Sequence, residues 1–350
     1  MIELLGVGAG LFAFFVVFGL LVGILFGFFG MGGSFLITPA LLVMGYPASV
    51  AVGSGMAFVF GTAVIATLKH HDLGQVDYKL GGLMVVGTVV GIEVGRILVF
   101  YLEDLGLAGG VISATYVLLL GAIGALVVRE SLGGGEADGG DAGGHGGHGG
   151  HGGDSFEDFE PPEFAKKIQA IHLPPMVTLS GGVTISVWVI AAIAFATGVL
   201  SGFLGVGGGF LRMPAMMYAI GVPVPVAVGT DLFEIVISGG AGAFLYAREG
   251  GVDLSIVVPL LLGSALGARI GSAATEIVDS AEIKIYFGVM LLLGSIAVAV
   301  GEAGSFLGSQ PLETAGLLLI LGSAVLVSGA VVYTTVKTLR ADGSVAPAAD

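Results

Sequence analysis

The chain contains no cysteine, and only 11% of its 350 residues are charged. Without cysteine, disulfides, thiol nucleophiles and thiolate metal ligands are all excluded. So little charge also excludes an ordinary soluble domain, in which roughly 25% of residues are charged. Basic residues are the scarcest, with 12 Lys and Arg against 26 Asp and Glu, a net charge of −14. Nucleic acid is recognised by clustered basic residues, so no nucleic-acid partner is expected.

What the chain has instead is long apolar runs. Residues 5–29, 49–68, 78–102, 107–128, 184–204, 226–247, 254–275 and 312–336 are each uncharged or nearly so, and 283–300 is a shorter ninth run. About 20 apolar residues in a helix match the ~30 Å hydrocarbon core of a bilayer. The start, "MIELLG", lacks a basic segment, and the apolar run after it is too long for a signal peptide. The expected fold is therefore all-α: a polytopic transmembrane helical bundle in a lipid bilayer. A homo-oligomer is compatible with such a bundle.

One segment departs from this composition. Residues 129–183 include "GGGEADGGDAGGHGGHGGHGG", which has too little apolar surface to form a core. It reads as a flexible, acidic linker, with His145, His148 and His151 as weak metal ligands in a low-complexity spacer.

The linker separates two similar halves. A shift of 175 pairs Gly27, Gly30, Gly32, Gly33 and Pro39 with Gly202, Gly205, Gly207, Gly208 and Pro214. After one inserted residue, a shift of 176 pairs Gly53, Asp77, Gly87, Gly91 and Gly95 with Gly229, Asp253, Gly263, Gly267 and Gly271. The expected organisation is a first transmembrane repeat at 1–128, the linker at 129–183, a second repeat at 184–301, and a final helix with a polar tail at 302–350.

Duplicated membrane domains suit transporters, in which two repeats rock about a shared site. If residues 35–44 and 210–220 form half-helices, each repeat crosses an odd number of times and the two are inverted. Lys69, Lys79, Arg129, Lys166, Lys167, Lys284, Lys337 and Arg340 then lie inside and Arg248 outside, in keeping with the positive-inside rule.

The glycine clusters "GMGGSF" and "GVGGGF" precede those half-helices. Irregular backbone at membrane depth survives only where protein covers it or it lines a cavity. Glycine there leaves N–H groups open, which makes an anion site from backbone. The substrate-binding candidates are Gly30, Gly32, Gly33, Ser34, Gly205, Gly207, Gly208, Gly209 and Arg212. The glycines at every fourth position in "GTVVGIEVG" and "GSALGARIG" read instead as tight helix-packing faces.

Charges inside membrane spans cost ~2.5–3.5 kcal/mol each on insertion scales and tend to be functional. Glu93, Arg269, Asp231 and Glu234 are the coupling or gating candidates. Glu93 and Arg269 occupy matching places in the two halves and are expected to pair, with Arg96 a local alternative for Glu93. Asp231 or Glu234 would neutralise Arg212 or carry a proton.

The duplicated Gly-x-x-Gly-x-Gly-Gly-[Gly/Ser]-Phe pattern leads to a proline, then to "AVGS" or "AVGT", then to the glycine-every-four helix. Together these resemble the sulfite exporter TauE/SafE family of membrane permeases, over roughly residues 10–300. The resemblance implies transport of small sulfur-containing or carboxylate anions across the prokaryotic cytoplasmic membrane, with no cofactor. It carries over to Gly30, Gly32, Gly33, Gly205, Gly207, Gly208, Gly209, Pro39 and Pro214. Arg212 stands where the family usually has an aliphatic residue, which points to a strongly anionic substrate; the His/Gly linker is an addition.

No nucleophile–base pair or metal site for an intramembrane enzyme is visible, so enzymatic activity is not expected. A divalent metal-ion transporter using the His-rich linker is the competing reading. Deleting residues 133–153 separates the two: a metal carrier loses metal-dependent flux in vesicles, whereas an anion permease keeps its anion flux.

Overall fold

The computed structural model describes residues 3–4, 7–29, 33–72, 76–132, 168, 173–179, 183–275 and 280–343. Apolar sequence without turn signals gives long helices: α1 (Ala9–Phe29), α3 (Ala48–Asp72), α4 (Tyr78–Asp104), α5 (Ala108–Leu132), α6 (Val187–Leu204), α8 (Val224–Arg248), α9 (Leu254–Thr275), α10 (Ser280–Leu307) and α11 (Gln310–Gly343). Two short helices interrupt the series, α2 (Ile37–Val43) and α7 (Gly209–Ala215). Small hairpins precede α1 (β1 Glu3–Leu4, β2 Val7–Gly8) and α6 (β3 Met176–Thr178, β4 Thr184–Ser186). The second hairpin falls partly within the stretch expected to be linker, and the Lys79 ammonium donates to Thr178 O at 3.1 Å, fastening it to α4.

Among the described residues, eight helices are long and apolar enough to cross a membrane. The run expected to be short, 283–300, belongs to a full span, Ile285–Leu307, because the helix continues through Gly301 and Glu302 to Phe306 and Leu307. Conversely, α3 contributes a shorter apolar helix, Ala48–Val64. All the elements are helical apart from the two hairpins, so the expected all-α bundle is the one observed.

Small residues decide which helices meet. The most extensive contacts are α1 against α9 and α4 against α6, so each of these pairs joins the chain's two halves. A Cβ added at Gly95 would stand 2.7 Å from Phe203 N, and one at Gly202 would stand 2.5 Å from Ile92 O. In the other pair, a Cβ at Gly271 would stand 2.7 Å from Phe28 N, and one at Gly23 2.6 Å from Ser264 Cα. Only hydrogen fits at such a distance, and dispersion summed over the touching backbones holds the helices together where lipid offers no hydrophobic contrast.

Hydroxyls tie the same halves at the helix starts. Thr230 Oγ1 accepts from Asp77 N–H at 2.9 Å, and Ser54 Oγ accepts from Asp253 N–H at 3.1 Å. Each aspartate in turn caps the helix it precedes: Asp77 accepts from Lys79 N–H and Leu80 N–H, and Asp253 from Ser255 N–H. The "AVGS" and "AVGT" motifs thus supply a buried acceptor for an amide across the interface.

Gly95→Leu forces apart two touching backbones, and overpacking of this kind costs about 1–3 kcal/mol or more. A lower unfolding midpoint in detergent is expected for this variant. Gly82→Ala, in open space on the same helix, leaves the midpoint unchanged or raises it; equal midpoints for Gly95→Leu and wild type would contradict the packing account.

Candidate functional site

The second glycine cluster ends one helix and starts another inside the protein. Gly205 closes α6 in the left-handed conformation (φ 73°), and its N–H donates to Ser201 O at 2.8 Å. Gly207 (φ 67°) and Gly208 (φ 85°) keep the chain in that region, which L side chains rarely adopt, before α7 begins. Pro214 has no N–H to continue the α-helical ladder, and α7 gives way to a wide turn over Met216–Ile220, closed by Gly221 N–H on Met216 O.

A helix end inside the protein must find partners for its carbonyls. Two buried tyrosines supply them. The Tyr246 hydroxyl donates to Gly202 O and the Tyr116 hydroxyl to Leu204 O, both at 2.6 Å. The amides that follow are not matched in this way. Among the described residues, the N–H groups of Val206, Gly207, Gly208 and Gly209 find no acceptor, although this segment is buried.

Arg212, four residues beyond Gly208, is fully buried. Its Nη1 donates to Asp231 Oδ1 at 3.0 Å and also to Glu234 Oε2. Its Nη2 donates to Gly207 O at 3.2 Å, so the arginine folds back on the turn that precedes it. Ser238 Oγ, one turn beyond Glu234 on α8, donates to Glu234 Oε2 at 2.9 Å. Two polar atoms in this cluster are buried without a partner among the described residues, Arg212 Nε and Glu234 Oε1. Glu234 lies ten residues after Val224, about 15 Å along α8 at 1.5 Å per residue. The cluster therefore sits well inside the span Val226–Arg248.

Other expected site residues fall elsewhere. Gly30 and Gly32 lie outside the described residues, as do His145, His148 and His151. Gly33 and Ser34 open a tight turn, Gly33–Leu36, that leads into α2. Helix α2 meets the second cluster directly: a Cβ at Gly205 would stand 2.6 Å from Val52 O on α3 and 2.9 Å from Thr38 Oγ1 on α2.

The expected Glu93–Arg269 pair does not form. Glu93 is held by Arg96 one turn along, through bonds of 2.9 and 2.6 Å, and Arg96 also approaches Glu249 at 3.6 Å. Arg269 is exposed on α9. The glycine faces bind α4 to α6 and α9 to α1, so matching positions on α4 and α9 are not brought together.

Sequence reading missed the two tyrosine caps and Ser238. The caps carry no local signal, since Tyr116 and Tyr246 stand 88 and 44 residues from the carbonyls they serve. Ser238 did carry one, at the i+4 position from Glu234 on a helix.

A bundle of membrane-crossing helices with a broken helix and buried charges is that of a polytopic membrane protein, and its similarity to known proteins places it among membrane transporters. The family model for the sulfite exporter TauE/SafE matches residues 15–298, and the chain belongs to that family. It is 25% identical over 292 residues to the probable membrane transporter protein YunE of Bacillus subtilis, covering 81% of this chain and 95% of that one. A probable membrane transporter protein of Xylella fastidiosa (strain 9a5c) is 26% identical over 284 residues, 80% of this chain and 92% of the relative. Bacillus subtilis YjnA, also a probable membrane transporter protein, is 26% identical over 265 residues, 73% and 87% of the two chains. No solved structure matches the chain.

Gly208→Ala combines a left-handed backbone with a Cβ 2.4 Å from where Arg212 Nη2 now lies. Gly45 has φ 84° but nothing within 4 Å of an added Cβ. The backbone term alone costs roughly 1–2 kcal/mol. Gly45→Ala should lose that much stability and keep transport, whereas Gly208→Ala loses transport as well; equal transport by both variants in vesicles would show that the Arg212 contact is unimportant.

Proposed function

We propose that this protein is a secondary carrier of small anions, of the sulfur-oxyanion, sulfonate or short-carboxylate class, in the cytoplasmic membrane. The observation that carries this reading is the run of four consecutive buried amides with no acceptor among the described residues, adjoining a buried arginine. Successive N–H groups in a left-handed glycine turn form a concavity suited to anions. An arginine fork gives such a site charge and planar geometry. The family's name, sulfite exporter, fits a tetrahedral or pyramidal oxyanion.

The substrate is taken to sit at the turn Gly205–Gly209, with Arg212 as its counter-charge. The other half approaches this turn through α2, whose Thr38 lies beside Gly205, and its own candidates Gly30, Gly32, Gly33 and Ser34 are taken as the matching part of the site. We read the halves as repeats of inverted topology; paired contacts support the two-fold relation, and the positive-inside count supports the inversion. Gly198 meets Thr88 as Gly23 meets Ser264, and Gly202 meets Ile92 as Gly27 meets Ala268. Those partners are related by the same shifts of 175 and 176 found in the sequence. Rocking of one half against the other about the shared site then gives alternating access.

The test is uptake into proteoliposomes of labelled sulfite, sulfate, sulfonates and short carboxylates. At least one anion of this panel should be transported by wild type, with uptake lowered at least tenfold by Arg212→Ala. Because the alanine variant leaves two carboxylates unpaired, Arg212→Lys is run beside it. Keeping the charge but losing the fork, it should raise KM for that anion roughly tenfold while eluting as folded protein. Normal uptake by both variants would remove Arg212 from the site, and no uptake of any anion by wild type would overturn the reading.

A further inference from the structure

The buried cluster does not balance. Arg212 contributes +1, and Asp231 and Glu234, if both ionised, contribute −2, leaving −1 in a place fully shielded from solvent. Among the described residues, no further ion pair reaches the cluster. Helix α6 has no charged residue, and α3 has none between Ala48 and Leu68. On α4, Glu93 and Arg96 engage each other and Glu249, Glu103 accepts from Ser49, and Lys79 is bound to Thr178 O. The Asp77 carboxylate caps α4, and the turn after α7 adds only Tyr218 to the titratable groups. A further negative charge brought by an entering anion costs several kcal/mol more, unless a proton is taken up with it.

The geometry distinguishes the two carboxylates. Glu234 Oε2 already serves Arg212 and Ser238, while Oε1 is buried with no partner among the described residues. On the other side, Arg212 Nε is a donor without an acceptor. The cluster thus holds an open proton-accepting oxygen and an open guanidinium N–H.

We propose that Glu234 takes up one proton with each monovalent anion, so that the transporter is an electroneutral proton–anion symporter in which carboxylate and substrate alternate on Arg212. The inference rests on the anion reading above. As the anion enters, a proton from water bonds to the Glu234 carboxylate. Arg212 Nη1 turns from Glu234 to the anion, and the charge of the site is the same before and after. On the far side the anion leaves, the proton returns to water, and the Arg212–Glu234 pair re-forms. A metal cation in the proton's place needs several oxygen ligands. Among the described residues there is no group of three or more His, Asp or Glu able to hold one.

The experiment uses proteoliposomes of the full chain loaded with a pH-sensitive dye and given the anion that wild type exchanges. Addition of that anion to wild-type vesicles should acidify the lumen by one proton per anion. An inward proton gradient should drive accumulation that a protonophore abolishes, and an imposed potassium-diffusion potential should have no effect. Glu234→Gln should lose at least tenfold of the gradient-driven accumulation and flatten its pH dependence, while slower exchange of labelled anion remains measurable. Anion exchange by wild type without lumen acidification, or accumulation driven by a sodium gradient instead, overturns the symport and leaves the anion reading standing. Absence of exchange by wild type overturns both.

Discussion

A guanidinium with no access to water must be held by the protein or not be there at all. Arg212 is held by two carboxylates from α8 and one carbonyl from its own turn, and that arrangement determines much around it. Helix α6 must stop and α7 begin close to α8, so the chain has to break at Gly205–Gly208. The break exposes the carbonyl end of α6, which the hydroxyls of Tyr116 and Tyr246 satisfy from α5 and α8. Gly208 must lack a side chain because Arg212 occupies that space. Removing one member of such a buried network leaves another uncompensated, which typically costs about 3–5 kcal/mol.

The scaffold around this cluster is close to symmetric in its contacts, and the cluster is not. Shifted by 175 or 176, Arg212, Asp231 and Glu234 correspond to Ile37, Gly55 and Phe58, all without charge. Ile37 and Phe58 are fully buried, and a Cβ at Gly55 would meet Gly205 O and Thr38 Oγ1, each at 2.7 Å. One half thus carries the polar cluster, and the matching places in the other are apolar. On the duplicated reading, the common frame provides the helix interfaces, and three differences in one copy provide the buried charges.

Much of this was legible in the sequence, for reasons that differ by feature. Hydrophobic run length identified the spans because bilayer thickness fixes helix length. The glycines at 87, 91 and 95 and at 263, 267 and 271 read correctly as packing faces, since a four-residue spacing places them on one side of a helix. Glycine followed by proline marked the short helices because glycine admits the left-handed backbone that ends a helix and proline has no N–H to continue one. The partner of Glu93 was misassigned: repeat correspondence suggested Arg269, whereas the side chain found Arg96 one turn away. Which helices touch is a property of the assembled bundle, and it left α4 and α9 apart. The tyrosine caps were invisible for the same reason, being contacts between distant segments with no periodic signature.

The central claim, that Arg212, Asp231 and Glu234 depend on one another inside the bundle, is tested most directly by charge rescue of stability. Thermal unfolding in detergent is compared for wild type, Arg212→Met, and the triple variant Arg212→Met, Asp231→Asn, Glu234→Gln. The account predicts a large drop in midpoint for the single variant and recovery of most of it in the triple, because neutral amides no longer require a cation. A single variant as stable as wild type, or a triple variant no more stable than the single, would contradict it.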